Sequence, residues 1–198
     1  MTAREAQPKR DPANLCVMIS GGGRSLKNLA DRIDAGRLNA RIALVIASRP
    51  CPGADKARER NLPVKIVEGR IPRDRLESLV REAKADLVVL AGYLQLVEIP
   101  ESFSGKVLNI HPALLPSHGG PGMYGPRVHE AVLASGDRES GCTVHLCDAE
   151  YDRGPILVQK RCPVLPGDTP ETLAARVFEL ERDALPEGVE RLLSGERP

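Results

Sequence analysis

The chain has 198 residues, with 28 Lys+Arg against 27 Asp+Glu, only 3% aromatic residues and no Trp. Balanced charge and scarce aromatics argue against a nucleic-acid surface, which needs a basic stripe and stacking platforms, and favour a small-molecule site. No apolar run approaches the roughly 20 residues that span a bilayer. The cysteines Cys16, Cys51, Cys142, Cys147 and Cys162 form no CxxC pair, so a soluble protein in a reducing, cytoplasmic setting is expected.

Residues 1–14 are polar and mixed in charge, and read as a disordered leader rather than a signal peptide. Residues 15–198 read as one domain. Leu15–Ser20 is a buried-strand candidate, followed by glycines and a helix over Ser25–Ala35. Arg41–Ser48 is a second strand, Ala54–Asn61 a short helix and Leu62–Val67 a third strand. A helix over Pro72–Ala83 leads into Ala85–Ala91, which is almost wholly apolar, as a strand covered on both faces should be. This rhythm predicts a parallel sheet with right-handed crossovers. Lys106–His111 is a further strand and Arg127–Ala134 a helix. Cys142–Cys147 and Pro155–Val164 read as an antiparallel pair, and Thr169–Leu193 as a long closing helix. The fold class is therefore α/β: a mostly parallel twisted sheet with flanking helices. A Rossmann-like half is expected over about 15–91 and a mixed-sheet half over about 92–198, with the seam near Ala91–Gly92.

The stretch Ser20-Gly-Gly-Gly-Arg-Ser25 lies between the first strand and the first helix. Glycines there let backbone N–H groups approach an anion, and the helix N-terminus adds its dipole. A plain tight turn uses glycines too. Walker A fails because Lys27 is followed by Asn28, and the dinucleotide fingerprint fails because Leu26 stands where a third glycine belongs. A phosphate of mononucleotide size remains.

The most informative stretch is Leu108-Asn-Ile-His-Pro-Ala-Leu-Leu-Pro116. Asn109 and His111 are two apart at a strand end and project to one side. An amide beside an imidazole at the C-terminal edge of a parallel sheet suits stabilisation of a developing oxyanion. Asp152 lies in a turn between two strands, before Gly-Pro. A carboxylate there either favours the imidazolium form of His111 or relays a proton through water.

These residues, together with Leu90-Ala-Gly-Tyr93, Asp152-Arg-Gly-Pro-Ile156 and Gly167-Asp168, resemble the folate-dependent formyltransferase family, in consistent order from Leu15 to the C-terminus. The resemblance implies transfer of a formyl group from 10-formyltetrahydrofolate to the amine of glycinamide ribonucleotide in purine biosynthesis. It implies catalysis by Asn109, His111 and Asp152, with no metal. It places Gly23, Arg24 and Ser25 on the phosphate, Gly92 with the acceptor, and Glu181 facing the ribose. Folate is expected against Arg73, Leu94, Gln95, Leu96, Val97, Asn109 and Asp148. Arg24-Ser25, Gln95 and Arg153 depart from the common pattern of Ser-Asn, Arg and Gly. The segment after Pro116 looks about four residues longer than the shorter family form.

Other readings compete. The same trio can deliver water to formyl-folate, or serve a sugar-amine acceptor, and a degenerate nucleotide-binding module needs no catalysis. With only a short stretch before the first strand and a short tail after Leu193, the extra domains of the deformylase and of the tRNA-formylating family members are not expected. A homodimer is compatible with the sequence. Cys142, His145 and Cys147 tempt one toward zinc, but Cys142 faces away from the other two in a strand and no second ligand pair has metal spacing. His129 reads as a surface or satisfied histidine, and Tyr124 as part of either a lid or an ordinary surface loop.

Overall fold

In the computed structural model, which describes residues 11–198, seven strands form one sheet in the order β3-β2-β1-β4-β5-β6-β7. Strands β1 (Ala13–Ile19), β2 (Ala40–Ala47), β3 (Val64–Ile66), β4 (Leu87–Leu90) and β5 (Val107–His111) are parallel. Strands β6 (Glu139–Leu146) and β7 (Ile156–Pro163) are antiparallel additions at the β5 edge. The helices are α1 (Arg24–Asp34), α2 (Pro52–Glu59), α3 (Arg73–Glu82), α4 (Pro126–Ser135) and α5 (Pro170–Leu193). A 3-10 turn at Glu101–Phe103 precedes β5. That turn was not foreseen, and β6 starts three residues before Cys142.

Residues of β1 alternate between two cores. Leu15, Val17 and Ile19 pack with α1, α2, α4 and α5 on one face, while Cys16 and Met18 pack with α3 and the 3-10 turn on the other. Right-handed crossovers require this split, because the chain winds outward from β1 to β3 and then returns past β1 to form β4. The order therefore reverses between β1 and β4. At such a switch point the loops leaving the two strands diverge and open a crevice at the sheet's C-terminal edge.

The expected leader is only partly testable, since residues 1–10 lie outside the described residues. Ala13 and Asn14 belong to β1 and correct that expectation. Asn14 is tolerated in the strand because its polar groups are satisfied: its N–H donates to Asp86 and its side-chain amide to the Lys84 carbonyl. Helix α5 starts from a full capping box between Thr169 and Thr172. Asp168 accepts from the Leu165 N–H, Thr172 and both terminal nitrogens of Arg176. The Gly167-Asp168 pair is thus a device for starting α5. No helix among the described residues is long and apolar enough to cross a membrane.

Candidate active site

The crevice at the switch point is a cleft of about 490 Å³. One wall is the glycine loop after β1. Gly23 is the N-cap of α1, in the left-handed region at φ 70, and no side chain caps the helix. First-turn N–H groups are thus left for a ligand. The loop is clamped by α2: Gly53 donates its N–H to the Gly21 carbonyl at 3.0 Å, and a Cβ on Gly23 would lie 2.7 Å from the Gly53 Cα. Both positions need glycine because two backbones meet there.

Ser20 ties this wall to the segment after β4. Its hydroxyl accepts the Leu94 N–H at 2.9 Å and bonds the Ser48 hydroxyl at 2.7 Å, while its own N–H donates to the Gly92 carbonyl. Arg49 donates to the Ser20 carbonyl and also lines the cleft. The Arg24 guanidinium stacks on Phe178 of α5, 4.2 Å from the ring centroid. Beside it Glu181 is pushed up to about 7 by burial, with the positive charge of Arg24 opposing.

The other wall holds the polar cluster. Asn109 and His111 point the same way from β5, as alternate residues must, and Asn109 pairs in register with His145 of β6. Asp152, in the β6–β7 turn at φ 57, reaches back over them. Its Oδ1 accepts from Asn109 Nδ2 at 3.3 Å, its Oδ2 accepts the Gly120 N–H at 2.9 Å, and Oδ2 lies 3.5 Å from His111 Nδ1. His111 Nε2 donates to the His118 carbonyl at 2.7 Å. Asn109 Nδ2 also donates to His145 Nε2 at 3.1 Å. A Cβ on Gly119 would meet Leu115 Cδ2 at 2.5 Å and Asp152 Cβ at 3.1 Å, so this glycine lets the 118–120 segment lie directly on the carboxylate.

Electrostatics bear on the charge state that the sequence left open. Burial of His111 lowers its pKa more than Asp152 raises it, so the resting ring is neutral with its proton on Nε2. Burial opposes the charge of Asp152, but its carboxyl is held below the usual range, with the Gly120 N–H donating to Oδ2. His111 therefore presents a bare Nδ1 to a carboxylate, ready to take a proton and close an ion pair. The amide N–H groups of Asn109 are already engaged.

The formyl transferase family matches residues 13–189. The chain belongs to that family. A phosphoribosylglycinamide formyltransferase of Arabidopsis thaliana, described as chloroplastic, is 42% identical over 185 residues, which cover 88% of this chain and 63% of that protein. The chain thus spans less than two thirds of the plant relative's length. A phosphoribosylglycinamide formyltransferase of Mycobacterium tuberculosis is 41% identical over 186 residues, covering 90% of this chain and 84% of that protein. The crystal structure of glycinamide ribonucleotide transformylase 1 from Symbiobacterium toebii matches with a TM-score of 0.85 at 33% identity, covering 94% of this chain and 90% of that one.

In this member of the family the cleft gathers nearly all the residues singled out from sequence. Gly23, Arg24, Ser25, Gly92, Leu94, Gln95, Leu96, Val97, Asn109, His111, Asp148, Asp152 and Glu181 all line it. Arg73 does not. It is exposed in the first turn of α3, whose Leu76, Leu79 and Val80 face the sheet on the side away from α1 and α5. Tyr124 lines the cleft and packs against Arg127 while staying 42% exposed. His129 is buried, and its Nδ1 has no hydrogen-bond partner among the described residues. That corrects the surface reading of this residue. Sequence reasoning missed His145, Arg49, the His118 carbonyl and Gly53. Only His145 carried a signal, its strand-alternation partnership with Cys147 facing away from Cys142.

Proposed function

We propose that the protein transfers the formyl group of 10-formyltetrahydrofolate to the amine of glycinamide ribonucleotide. The observation that carries this reading is the meeting of Asn109, His111 and Asp152, from β5 and the β6–β7 turn, in the same cleft as an uncapped helix N-terminus. An anion-binding end beside an acyl-transfer cluster fits a phosphorylated acceptor whose amine reaches the formyl carbon.

The phosphate rests on the N–H groups of Gly23 to Ser25, and Glu181 receives the sugar hydroxyls. Folate lies against Leu94, Gln95, Leu96, Val97 and Asp148, where apolar side chains shield the reacting carbon from water. The neutral amine attacks that carbon, a C–N bond forms, and the carbonyl π pair moves onto oxygen. His111 Nε2–H donates to this oxyanion in place of the His118 carbonyl. Collapse breaks the bond to folate N10, which keeps the electron pair. One proton leaves the amine nitrogen and one arrives at N10. His111 Nδ1 and Asp152 carry it, because protonation there creates a buried ion pair in place of a lone pair facing a carboxylate. A comparison of the phosphorylated acceptor with its dephosphorylated form tests the acceptor site. The phosphate should lower KM strongly while kcat changes little, and equal KM values would reject the phosphate reading.

A further inference from the structure

His145 is buried at 2% exposure and has no part in the chemistry described so far. Its Nδ1 lies 2.8 Å from the Leu146 carbonyl oxygen. A carbonyl only accepts, so Nδ1 carries the proton and Nε2 of the neutral ring is a bare lone pair. Nε2 sits 3.1 Å from Asn109 Nδ2, and the same nitrogen sits 3.3 Å from Asp152 Oδ1. A carboxylate also only accepts. Two separate acceptors therefore dictate the same amide orientation. Turned by half a rotation, the amide would set its oxygen against a lone pair on one side and a negative charge on the other. With both N–H groups drawn inward, the side-chain oxygen is the polar atom Asn109 has left to offer the cleft it lines.

We propose that His145 is a positioning residue that holds Asn109 so that its side-chain oxygen meets the substrate and accepts an N–H of the attacking amine. The inference rests on the formyl-transfer reading of the cleft. A neutral primary amine has two N–H groups and one lone pair. An acceptor on one N–H fixes the rotation of the group and leaves the lone pair free for the formyl carbon. As the C–N bond forms, the nitrogen becomes positive and its N–H a stronger donor. The contact then tightens in the transition state more than in the bound ground state, which is where an interaction accelerates reaction. Asp152 contributes to the same orientation, so the carboxylate both faces His111 and turns Asn109.

The test begins with the wild-type protein labelled with 15N. Ring shifts of His145 should show a protonated Nδ1 and a bare Nε2, with a through-hydrogen-bond coupling from Asn109 Nδ2 to His145 Nε2. A protonated Nε2 facing Asp152 Oδ1, which lies 3.5 Å away, would overturn the proposal. In kinetics, His145→Leu removes the acceptor, and kcat should fall about tenfold or more while both KM values stay within about twofold. His145→Gln supplies an amide oxygen in its place and should recover kcat to within about threefold of wild type. A Leu variant with unchanged kcat, or Leu and Gln variants equally slow and equally destabilised, would also overturn it. Wild-type protein that fails to transfer formyl would reject the formyl-transfer reading, while the ring and amide assignments would still be decided by the spectra.

Discussion

Gly53 has no contact with substrate in this account, yet Gly53→Ala should damage acceptor binding. The backbone of Gly53 does not require the left-handed region; what it requires is space. A Cβ there would lie 2.6 Å from the Gly21 carbonyl oxygen and 2.9 Å from both the Cα and N of Gly23. An ordinary contact is well over half an ångström longer, and all three neighbours are main chain, so no side chain can swing aside. Either α2 or the glycine loop must move. Overpacking of this kind costs about 1–3 kcal/mol of stability. If the loop moves, the N–H groups of Gly23 to Ser25 lose their common focus on the phosphate. Loss of even one hydrogen bond to a charged group, about 1.5–3 kcal/mol, raises KM for the acceptor about tenfold or more. KM for folate should stay within about twofold, because Leu94 to Val97 are tied to the loop only through Ser20. Gly36→Ala is the control: its φ is 65 with nothing within 4 Å of the new Cβ, so it should lose about 1–2 kcal/mol of stability and leave both KM values alone. Urea denaturation and steady-state kinetics on the two variants decide it. An unchanged acceptor KM in folded Gly53→Ala would refute the claim that this clamp shapes an anion site.

Other outcomes follow from the same geometry. His111→Ala should lower kcat by about 3–4 kcal/mol of barrier with acceptor KM nearly intact, checked by rapid-quench turnover. Asp152→Asn should slow transfer and move the acid limb of the rate profile to lower pH: removing the anion lowers the His111 pKa further, so the neutral ring persists into more acid solution. Glu181, raised to about 7 in the fold, should make the protein lose stability as pH rises from the ordinary carboxylate range through about 7, and Glu181→Gln should flatten that slope in denaturant titrations. Thr169→Ala removes the α5 cap and should cost about 1 kcal/mol of stability without changing kcat.

What was legible in the sequence had a local cause. Leu87–Leu90 is a strand because four apolar residues in a row suit a two-sided core, and Arg24–Asp34 is a helix because Leu26, Leu29 and Ala30 recur on one face. Asn109 and His111 could be set on one side by counting alternate residues. What was hidden depends on long-range approach. Nothing near Gly53 says that its Cα will face Gly23, and nothing near His118 says that its carbonyl will cover His111. The start of β6 was hidden because Glu139 and Gly141 do not look like strand residues, although Lys160 leaves no room for a Cβ at Gly141. The charge state of His111 was open in the sequence for the same reason: a neighbouring carboxylate can be guessed, but the desolvation that outweighs it is a property of the folded site.

The central claim is tested most directly by following the absorbance of 10-formyltetrahydrofolate with purified protein, in the presence and absence of glycinamide ribonucleotide. The account predicts deformylation that starts only when the acceptor is added and stops when it is consumed, with one equivalent of formylated amine formed. Equal loss without the acceptor would make the protein a hydrolase, no loss in either case would make it a binding module, and either result would contradict the account.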